Sequence, residues 1–452
     1  MNDLADRFGS RLITSPGALD HYAQSEGHHV YGSPALAAQP VSVEEVQILV
    51  RHAIGAGMSI VGYGAGTSLE GNAAALGDNC LCIDFSRMNR VLEVHPEDML
   101  CVIEPGLTRE QLNADLRATG LFFPVDPGAN ASLGGMISTR ASGTTTMRYG
   151  NMRDNVLGLK VVGADGSLVS TGSRARKSSS GYDLTHLFTG AEGTLGLIVE
   201  ATLRLHGQPE AILAATWDFA TVEGAVDTVI ATIQSAIPVA RMELLDEAAI
   251  LACNRQSGIA LPERPTLFIE LHGSESAVHE QLERVRLIGH DLGGGALDFA
   301  TDTEQRNNLW RARHQMLWAV KAMVPGCVAW TTDICVPISC LTEAVSRAKR
   351  DIAAAGLFAP VLGHVGDGNF HVIFALLPDD AAAWDAARKV NAGMIEHALS
   401  VGGTCTGEHG IGIGKREALV REHGDASVAM MRTIKRALDP DNRLNPGKIF
   451  LD

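Results

Sequence analysis

Three glycine-rich segments crowd the first half of the chain and constrain its fold more than any other feature. Val61-Gly-Tyr-Gly-Ala-Gly-Thr-Ser-Leu-Glu-Gly71 follows a short apolar run. Pro124-Val-Asp-Pro-Gly-Ala-Asn-Ala-Ser-Leu-Gly-Gly-Met136 comes next and continues to Ser138 and Ala141-Ser-Gly143, and Thr189-Gly-Ala-Glu-Gly-Thr-Leu-Gly196 closes the set. Glycine lets backbone approach a ligand. Successive N–H groups in such a loop can cradle a pyrophosphate, with the Thr67 and Ser68 hydroxyls as further donors. Three loops together point to a large, flat ligand held along its length; the bland alternative is three unrelated turn clusters. A Rossmann reading of the first loop, with Asp84 as its ribose contact, fails. That loop must open a long helix, and Glu70-Gly-Asn-Ala-Ala-Ala-Leu-Gly-Asp-Asn79 is short and broken by glycine.

Around these loops helix and strand alternate. Ser42-Val-Glu-Glu45 reads as a capping box before Val46 to Ile54, with Gly55 and Gly57 stopping the helix. Ser59 to Val61, Leu81 to Phe85 and Leu100 to Glu104 read as strands, and Thr108 to Gln111 starts a helix that ends at Gly120. Leu159 to Val162 and Leu168 to Ser170 flank an Asp165-Gly166 turn, and Thr194 to Leu205 is a long strand. The pattern is α+β. The chain has 452 residues, more than one core holds, and a boundary falls near Gly207 to Glu210, where the glycine-rich character fades.

Charge and composition exclude several classes. A net charge of −15 suits neither nucleic acid nor an anionic membrane surface. No apolar run reaches membrane-spanning length, so no transmembrane anchor is expected. Met1 to Ser10 has no apolar leader character. Eight cysteines without a C-x-x-C spacing argue against an iron–sulfur cluster or a cysteine zinc site, and for reduced thiols in the cytoplasm. Peripheral attachment at an inner membrane is the variant of that expectation.

Gly363-His-Val-Gly-Asp-Gly-Asn-Phe-His-Val372 is the most informative stretch. A hairpin folding at Asp367-Gly368 would oppose His364 and His371, close enough to share a metal ion. Glu408, in Cys405-Thr-Gly-Glu-His-Gly-Ile-Gly-Ile-Gly414, is a candidate third ligand, and His409 beside it a candidate general base. Trp310-Arg-Ala-Arg-His-Gln-Met-Leu-Trp318 has helical spacing that groups Trp310, His314, Leu317 and Trp318 on one face, with Arg313 beside it. The bland readings are two unrelated surface histidines, a solvated Glu-His pair and a core-facing helix.

The order of the three glycine segments, with Ser142-Gly-Thr-Thr-Thr-Met-Arg-Tyr-Gly-Asn-Met-Arg-Asp-Asn155, resembles the vanillyl-alcohol oxidase / p-cresol methylhydroxylase superfamily. The likeness is to its FAD-linked D-2-hydroxyacid dehydrogenases and is closer still to the D-lactate dehydrogenase (cytochrome) branch, from about Ala37 to Phe450. That resemblance implies an FAD-binding domain over 1–208, a substrate (cap) domain with a helix-flanked antiparallel sheet over 209–415, and a segment 416–452 docking back on the first. It implies FAD against Gly62, Gly64, Ala65, Gly66, Thr67 and Ser68, then Pro127, Gly128, Ser132, Gly134, Gly135, Ser138 and Ser142, then Glu192, Gly193, Ile198 and Asn445. Tyr63, Ala65 and Thr67 stand where covalent members present a histidine, so FAD is expected to be non-covalent, with His95 or His206 as the alternative attachment points.

The same resemblance makes His364, His371 and Glu408 ligands of one divalent metal and contacts of the substrate. It makes His409 the base and Arg313 the carboxylate clamp. Zinc and manganese fit this donor set, with iron(II) behind them. Trp330-Thr-Thr-Asp-Ile-Cys-Val-Pro337 looks like the substrate strand, with Thr331 where dicarboxylate-oxidising relatives carry a lysine. The implied activity is oxidation of a small D-2-hydroxy monocarboxylate, D-lactate first, by hydride transfer to flavin N5. A glycolate oxidase FAD subunit and a dehydrogenase of a longer acid such as 2-hydroxyglutarate are the near alternatives. A redox-neutral transferase of the superfamily and a flavin-free metal hydrolase are the distant ones. Electrons would leave to a separate quinone, cytochrome or electron-transfer flavoprotein; a homodimer is compatible with the sequence.

Overall fold

The helix Val43–Ala56 shows how local signals set the first part of the chain in this computed structural model. The Ser42 hydroxyl accepts from the Glu45 N–H at 3.3 Å, satisfying a donor that a helix start leaves orphaned. The second half of the expected box differs: the Glu45 carboxylate takes Arg11, at 2.5 and 2.8 Å, and the Val41 N–H. Gly55 lies inside the helix, and Gly57 ends it at φ +65°. Val46, Leu49, Val50 and Ala53 bury one face against Ile60, Leu81 and Ile83.

The structure describes residues 2–29, 31–175, 177–300 and 302–451; Met1 and Asp452, the outer bounds of the expected domains, lie outside them. The chain forms two units. The first takes Met1–Ser142, Gly150–Gln208 and Glu408–Asp452, and the second Gly143–Tyr149 and Pro209–Gly407.

In the first unit, β1 (Leu12–Ile13), β2 (Leu36–Ala38), β3 (Ser59–Tyr63) and β4 (Cys80–Asp84) form a sheet ordered β1-β2-β4-β3, with β2 and β3 parallel to β4. Then come β5 (Val91–His95), β6 (Leu100–Ile103), β7 (Leu121–Phe122), β8 (Val156–Val162), β9 (Leu168–Gly172), β10 (Leu197–Arg204) and β11 (His206–Gly207). Five of them make an antiparallel sheet ordered β5-β6-β10-β8-β9, and β7 pairs with β11. The Asp165-Gly166 turn joins β8 to β9, with Val162 opposite Leu168.

The second unit holds β12 (Ala211–Phe219), β13 (Val239–Leu245), β14 (Thr266–Gly273), β15 (Gly294–Phe299), β16 (Val328–Thr331), β17 (Ile334–Cys335), β18 (Val361–Gly363) and β19 (Asn369–Leu376). Their order is β15-β12-β14-β13-β18-β19-β16, all antiparallel, with β17 against β19. Side chains alternate between the two faces. Ile269 and Leu271 face the helix Glu275–Asp291, which buries Val278, Leu282 and Val285. Leu245, Phe268, Leu362 and Ile373 face the helices Glu247–Ser257, Thr303–His314 and Met316–Met323. The strand register puts Arg241, Glu243, Glu270, His272 and His371 on this same face. The helix-flanked antiparallel sheet is the α+β architecture expected.

The helix expected through Trp310 to Trp318 is two helices, broken at Gln315 (φ −86°, ψ 10°). Trp310 is buried and Trp318 is 52% exposed. Trp310 and Leu317 still pack on one apolar core, so of the apolar members of the expected face it is Trp318 that falls outside.

Candidate active site

The hairpin carrying the two histidines forms with a different register from the one expected. Leu362 lies opposite His371 and Val361 opposite Val372. The turn is a 3-10 turn, Val365–Asp367, closed by Gly368 at φ +78°. The Asn369 N–H reaches the His364 carbonyl at 3.3 Å, so Asn369, not His371, opposes His364. The register has moved by two residues. A shift of two keeps every side chain on its face, whereas a shift of one would have reversed them. The two imidazoles therefore still meet, with centroids 5.5 Å apart at 86° and ligand nitrogens within 4.8 Å.

Their protonation pattern follows from their partners. His364 Nδ1 is 2.7 Å from Glu243 Oε1, and His371 Nδ1 is 2.9 Å from the Thr332 carbonyl. A carbonyl and a carboxylate only accept. Each Nδ1 therefore carries the hydrogen, and the lone pair sits on Nε2. A ring oriented in this way by an oxygen acceptor is the usual arrangement of a metal-binding histidine, so the donor set fits a divalent cation.

Glu243 is the residue that sequence reasoning missed. Its side chain has no exposed surface, and it also holds Arg313, whose Nε and Nη2 lie 3.0 and 2.7 Å from Oε2. The fork expected to clamp a substrate thus has two donors turned inward. Arg311 instead points to Asn308 on the exposed side. Asp333 and Asn369 were missed as well; Asn369 Nδ2 donates to Asp333 Oδ1 at 2.7 Å, and the Thr406 hydroxyl to Asp333 Oδ2 at 2.8 Å. A signal was present: Arg241 and Glu243 alternate with apolar residues, as do Glu270 and His272, which marks a polar stripe on one strand face.

In the first unit the three glycine segments converge. The loop from Gly62 to Ser68 leaves β3 without opening a helix, and a Cβ at Gly64 would run into Ser132 Oγ. Ser132 precedes the helix Leu133–Thr139, which carries Gly134, Gly135 and Ser138; Pro127 and Gly128 lie on the loop leading into it, and Ser142 follows it. The third segment docks on the second through Glu192 N–H to the Ser138 carbonyl, 2.8 Å, and Gly190 N–H to the Ile137 carbonyl, 2.9 Å. Asn445, at φ +45°, donates to the carbonyls of Asn72 and Glu192 at 2.8 and 2.7 Å. Gly193 lies beside it, while Ile198 is part of the apolar core.

The Glu192 carboxylate is wholly within the protein, accepting from Asn72 Nδ2 and from the Ile411 and Gly412 N–H groups at 2.6, 2.7 and 2.8 Å; burial pushes it up from the ordinary carboxylate range. Ser68 Oγ and Asn72 Oδ1 are buried without a hydrogen-bond partner among the described residues. Such atoms are rare in a finished interior, and in a cradle of converging glycine loops they fit a polar cofactor. The next segment carries Glu408 and His409. Asn72 Nδ2 also lies 3.3 Å from the His409 carbonyl, and His409 Nδ1 is 4.0 Å from Glu70 Oε1, which Lys415 approaches at 3.2 Å. His206 contacts Asn155 and His95 contacts Glu93.

Two family models match the chain: the FAD binding domain over residues 34–172 and the C-terminal domain of FAD linked oxidases over residues 208–449. A probable mitochondrial D-lactate dehydrogenase of zebrafish (Danio rerio) is 44% identical over 95% of this chain and 87% of its own. The mitochondrial D-lactate dehydrogenase [cytochrome] of Arabidopsis thaliana is 45% identical over 94% and 75%.

The chain belongs to the FAD-linked oxidases, in their D-lactate dehydrogenase (cytochrome)-like branch. The solved p-cresol methylhydroxylase with substrate bound superposes on it with a TM-score of 0.77 at 17% identity, covering 100% of this chain and 97% of that one, which shows the shared fold. This FAD-linked oxidase is therefore a flavoprotein oxidoreductase. The expectation of a cytoplasmic protein is corrected by the same comparisons, since the zebrafish and Arabidopsis relatives are mitochondrial. Eight free thiols and an ordinary composition read alike in any reducing compartment, so they could not separate the two. Among the described residues no helix is long and apolar enough to cross a membrane.

Proposed function

We propose that this FAD-linked oxidase oxidises a small D-2-hydroxy monocarboxylate, D-lactate foremost, to the 2-oxo acid. The observation that carries the reading is the pair His364 and His371, each presenting Nε2 because a protein oxygen holds Nδ1. FAD held by the glycine cradle would supply the hydride acceptor, and a divalent cation, zinc, manganese or iron(II), would supply positive charge opposite the substrate oxygens. His364, His371 and Glu408 hold the cation. A Cβ on Gly407 would meet Asn369 and Asp333 at the histidine corner, and Glu408 is the next residue along the chain. His409 takes the 2-hydroxyl proton at Nε2, since Nδ1 faces the Glu70 carboxylate. Arg313 adds positive charge for the substrate carboxylate through the donors that Glu243 does not hold. Thr331 and its neighbours Trp330 and Thr332 offer no cation to a second carboxylate, which favours a monocarboxylate over 2-hydroxyglutarate. The name of the Arabidopsis relative makes a cytochrome the first acceptor to test.

The test is anaerobic stopped-flow reduction of the flavin by a panel of D- and L-2-hydroxy acids, before and after chelator treatment. D-lactate should bleach the flavin fastest, and the chelator should slow it. His409→Asn should lower the rate by about 10²–10⁴ while FAD stays bound. Failure of every hydroxy acid to bleach the flavin sinks the substrate class, and indifference to chelator sinks the metal.

A further inference from the structure

Glu192 stands among the residues expected to meet FAD, but protein donors take its carboxylate. The Ile411 N–H reaches Oε1 at 2.7 Å, and the Gly412 N–H and Asn72 Nδ2 reach Oε2 at 2.8 and 2.6 Å. They fill three of the roughly four acceptor sites that a carboxylate offers. Ile411 and Gly412 are successive residues, and successive N–H groups turned to one side form an anion-binding concavity. Here the anion is the protein's own side chain. Gly410, at φ +77°, permits the approach, since a Cβ there would lie 2.8 Å from Asn72 Nδ2 and 2.9 Å from Glu192 Oε1. Asn72 Nδ2 also meets the His409 carbonyl at 3.3 Å.

The main chain of Glu192 is held as firmly. Its φ of +52° is left-handed, a conformation that a residue with a side chain keeps only where its surroundings enforce it. Its N–H donates to the Ser138 carbonyl at 2.8 Å, and its carbonyl accepts from Asn445 Nδ2 at 2.7 Å.

We infer that Glu192 is a positioning residue for His409, seating the segment 408–412 against the loops that hold the flavin. The inference rests on the reading of His409 as the base. Glu192 acts through the Ile411 and Gly412 N–H groups, and through Asn72 on the His409 carbonyl. Ser138 belongs to the second glycine segment, so one residue ties the base to that segment. Acceptor capacity is what the position requires. In Glu192→Gln one oxygen becomes an NH2 group. Both oxygens accept N–H donors in the native protein, so the amide nitrogen faces a donor whichever way it turns. The far side of the segment has its own supports, Ile413 N–H to the Glu70 carbonyl at 2.8 Å and Ile449 N–H to the Gly412 carbonyl at 2.9 Å. Losing the Glu192 contacts therefore loosens the stretch beside His409 and leaves the chain docked beyond it.

The experiment uses FAD-loaded protein and has one readout that needs no turnover. Hydrogen exchange by mass spectrometry follows the peptide that contains Ile411 and Gly412. Glu192→Gln should speed exchange of these amides about tenfold or more, as a released local contact does. In anaerobic stopped flow with D-lactate, the limiting rate of flavin reduction should fall on the order of 10–100-fold, the scale of a misplaced catalytic group. The half-saturating concentration should stay within about twofold, because substrate binding is not what is lost. In a His409→Asn background, Glu192→Gln should lower the rate by less than about twofold, since two residues acting as one unit do not add. Gly410→Ala presses on the same contact from the other side; it is the second variant if Glu192→Gln does not fold, and it should give the same three results. Wild-type amide exchange in Glu192→Gln overturns the inference alone. So does faster exchange at a wild-type rate of reduction, and so does a full further loss in the His409→Asn background. His409→Asn that reduces its flavin at the wild-type rate sinks the base reading and this inference with it.

Discussion

Glu243 has no exposed surface and answers to two partners, Arg313 and His364. Its charge keeps Arg313 compensated and its position fixes the hydrogen on His364 Nδ1. Glu243→Gln removes the charge but keeps the shape. It should cost roughly 3–5 kcal/mol, because Arg313 is left as an unpaired buried cation, and should weaken metal retention about 10–100-fold through the misoriented ring. Urea unfolding and metal analysis after dialysis check the two effects; wild-type values in both would remove Glu243 from the site. Lys448 is a different case. It is 2% exposed and donates to the Ala74 carbonyl and Asn445 Oδ1, and burial pushes it down to about 8 from 10.5. The unfolded chain holds this proton up to the ordinary lysine range, so between the two values the unfolded state binds more protons. Stability from this group is lowest below pH 8 and rises with pH through that window. The stability of wild type relative to Lys448→Met should therefore increase between pH 8 and pH 10.5, by roughly 3 kcal/mol if the full shift is expressed. A difference that does not change with pH would refute it.

At the scale of elements, the hairpin from β18 to β19 is the informative case. Gly368 sits at φ +78°, and a Cβ there would run into the Val336 carbonyl. Gly326 has a similar φ of +82° with open space around it. Gly326→Ala should lose about 1–2 kcal/mol, the cost of the left-handed backbone alone, and Gly368→Ala clearly more. Equal losses in urea unfolding would show that the close approach has no weight. The same hairpin shows what the sequence could convey. Asp367-Gly368 marked the turn, and the face of each histidine followed from parity. The loop length did not, because Gly368 closes a 3-10 turn here and is not the second residue of a two-residue turn. Cap signals at Ser42 and Thr108 were legible because both act within three residues. The break at Gln315 was not, since nothing local forbids helix there. Glu243 escaped notice because its partners come from positions 70 and 121 residues away, and one sequence does not show which distant charges meet.

For the whole molecule, FAD is a stabilising ligand as well as a reactant. A ligand that binds only the folded state at about 100 times its Kd adds roughly 2.7 kcal/mol. Apoprotein titrated with FAD should therefore melt progressively higher, most of all in the transition that reports the first unit. Calorimetric scans that do not move with FAD would contradict the cradle. The chain crosses between the units four times, after Ser142, Tyr149, Gln208 and Gly407, and Asn445 from the last segment closes on Ile60, its N–H meeting the Ile60 carbonyl at 2.7 Å. Residues 209–407 are all synthesised before this closing piece, so the chain of the inserted unit is complete first. The nascent first unit, though begun earlier, stays open at Ile60 until Asn445 has been added, and the flavin has no finished seat before then.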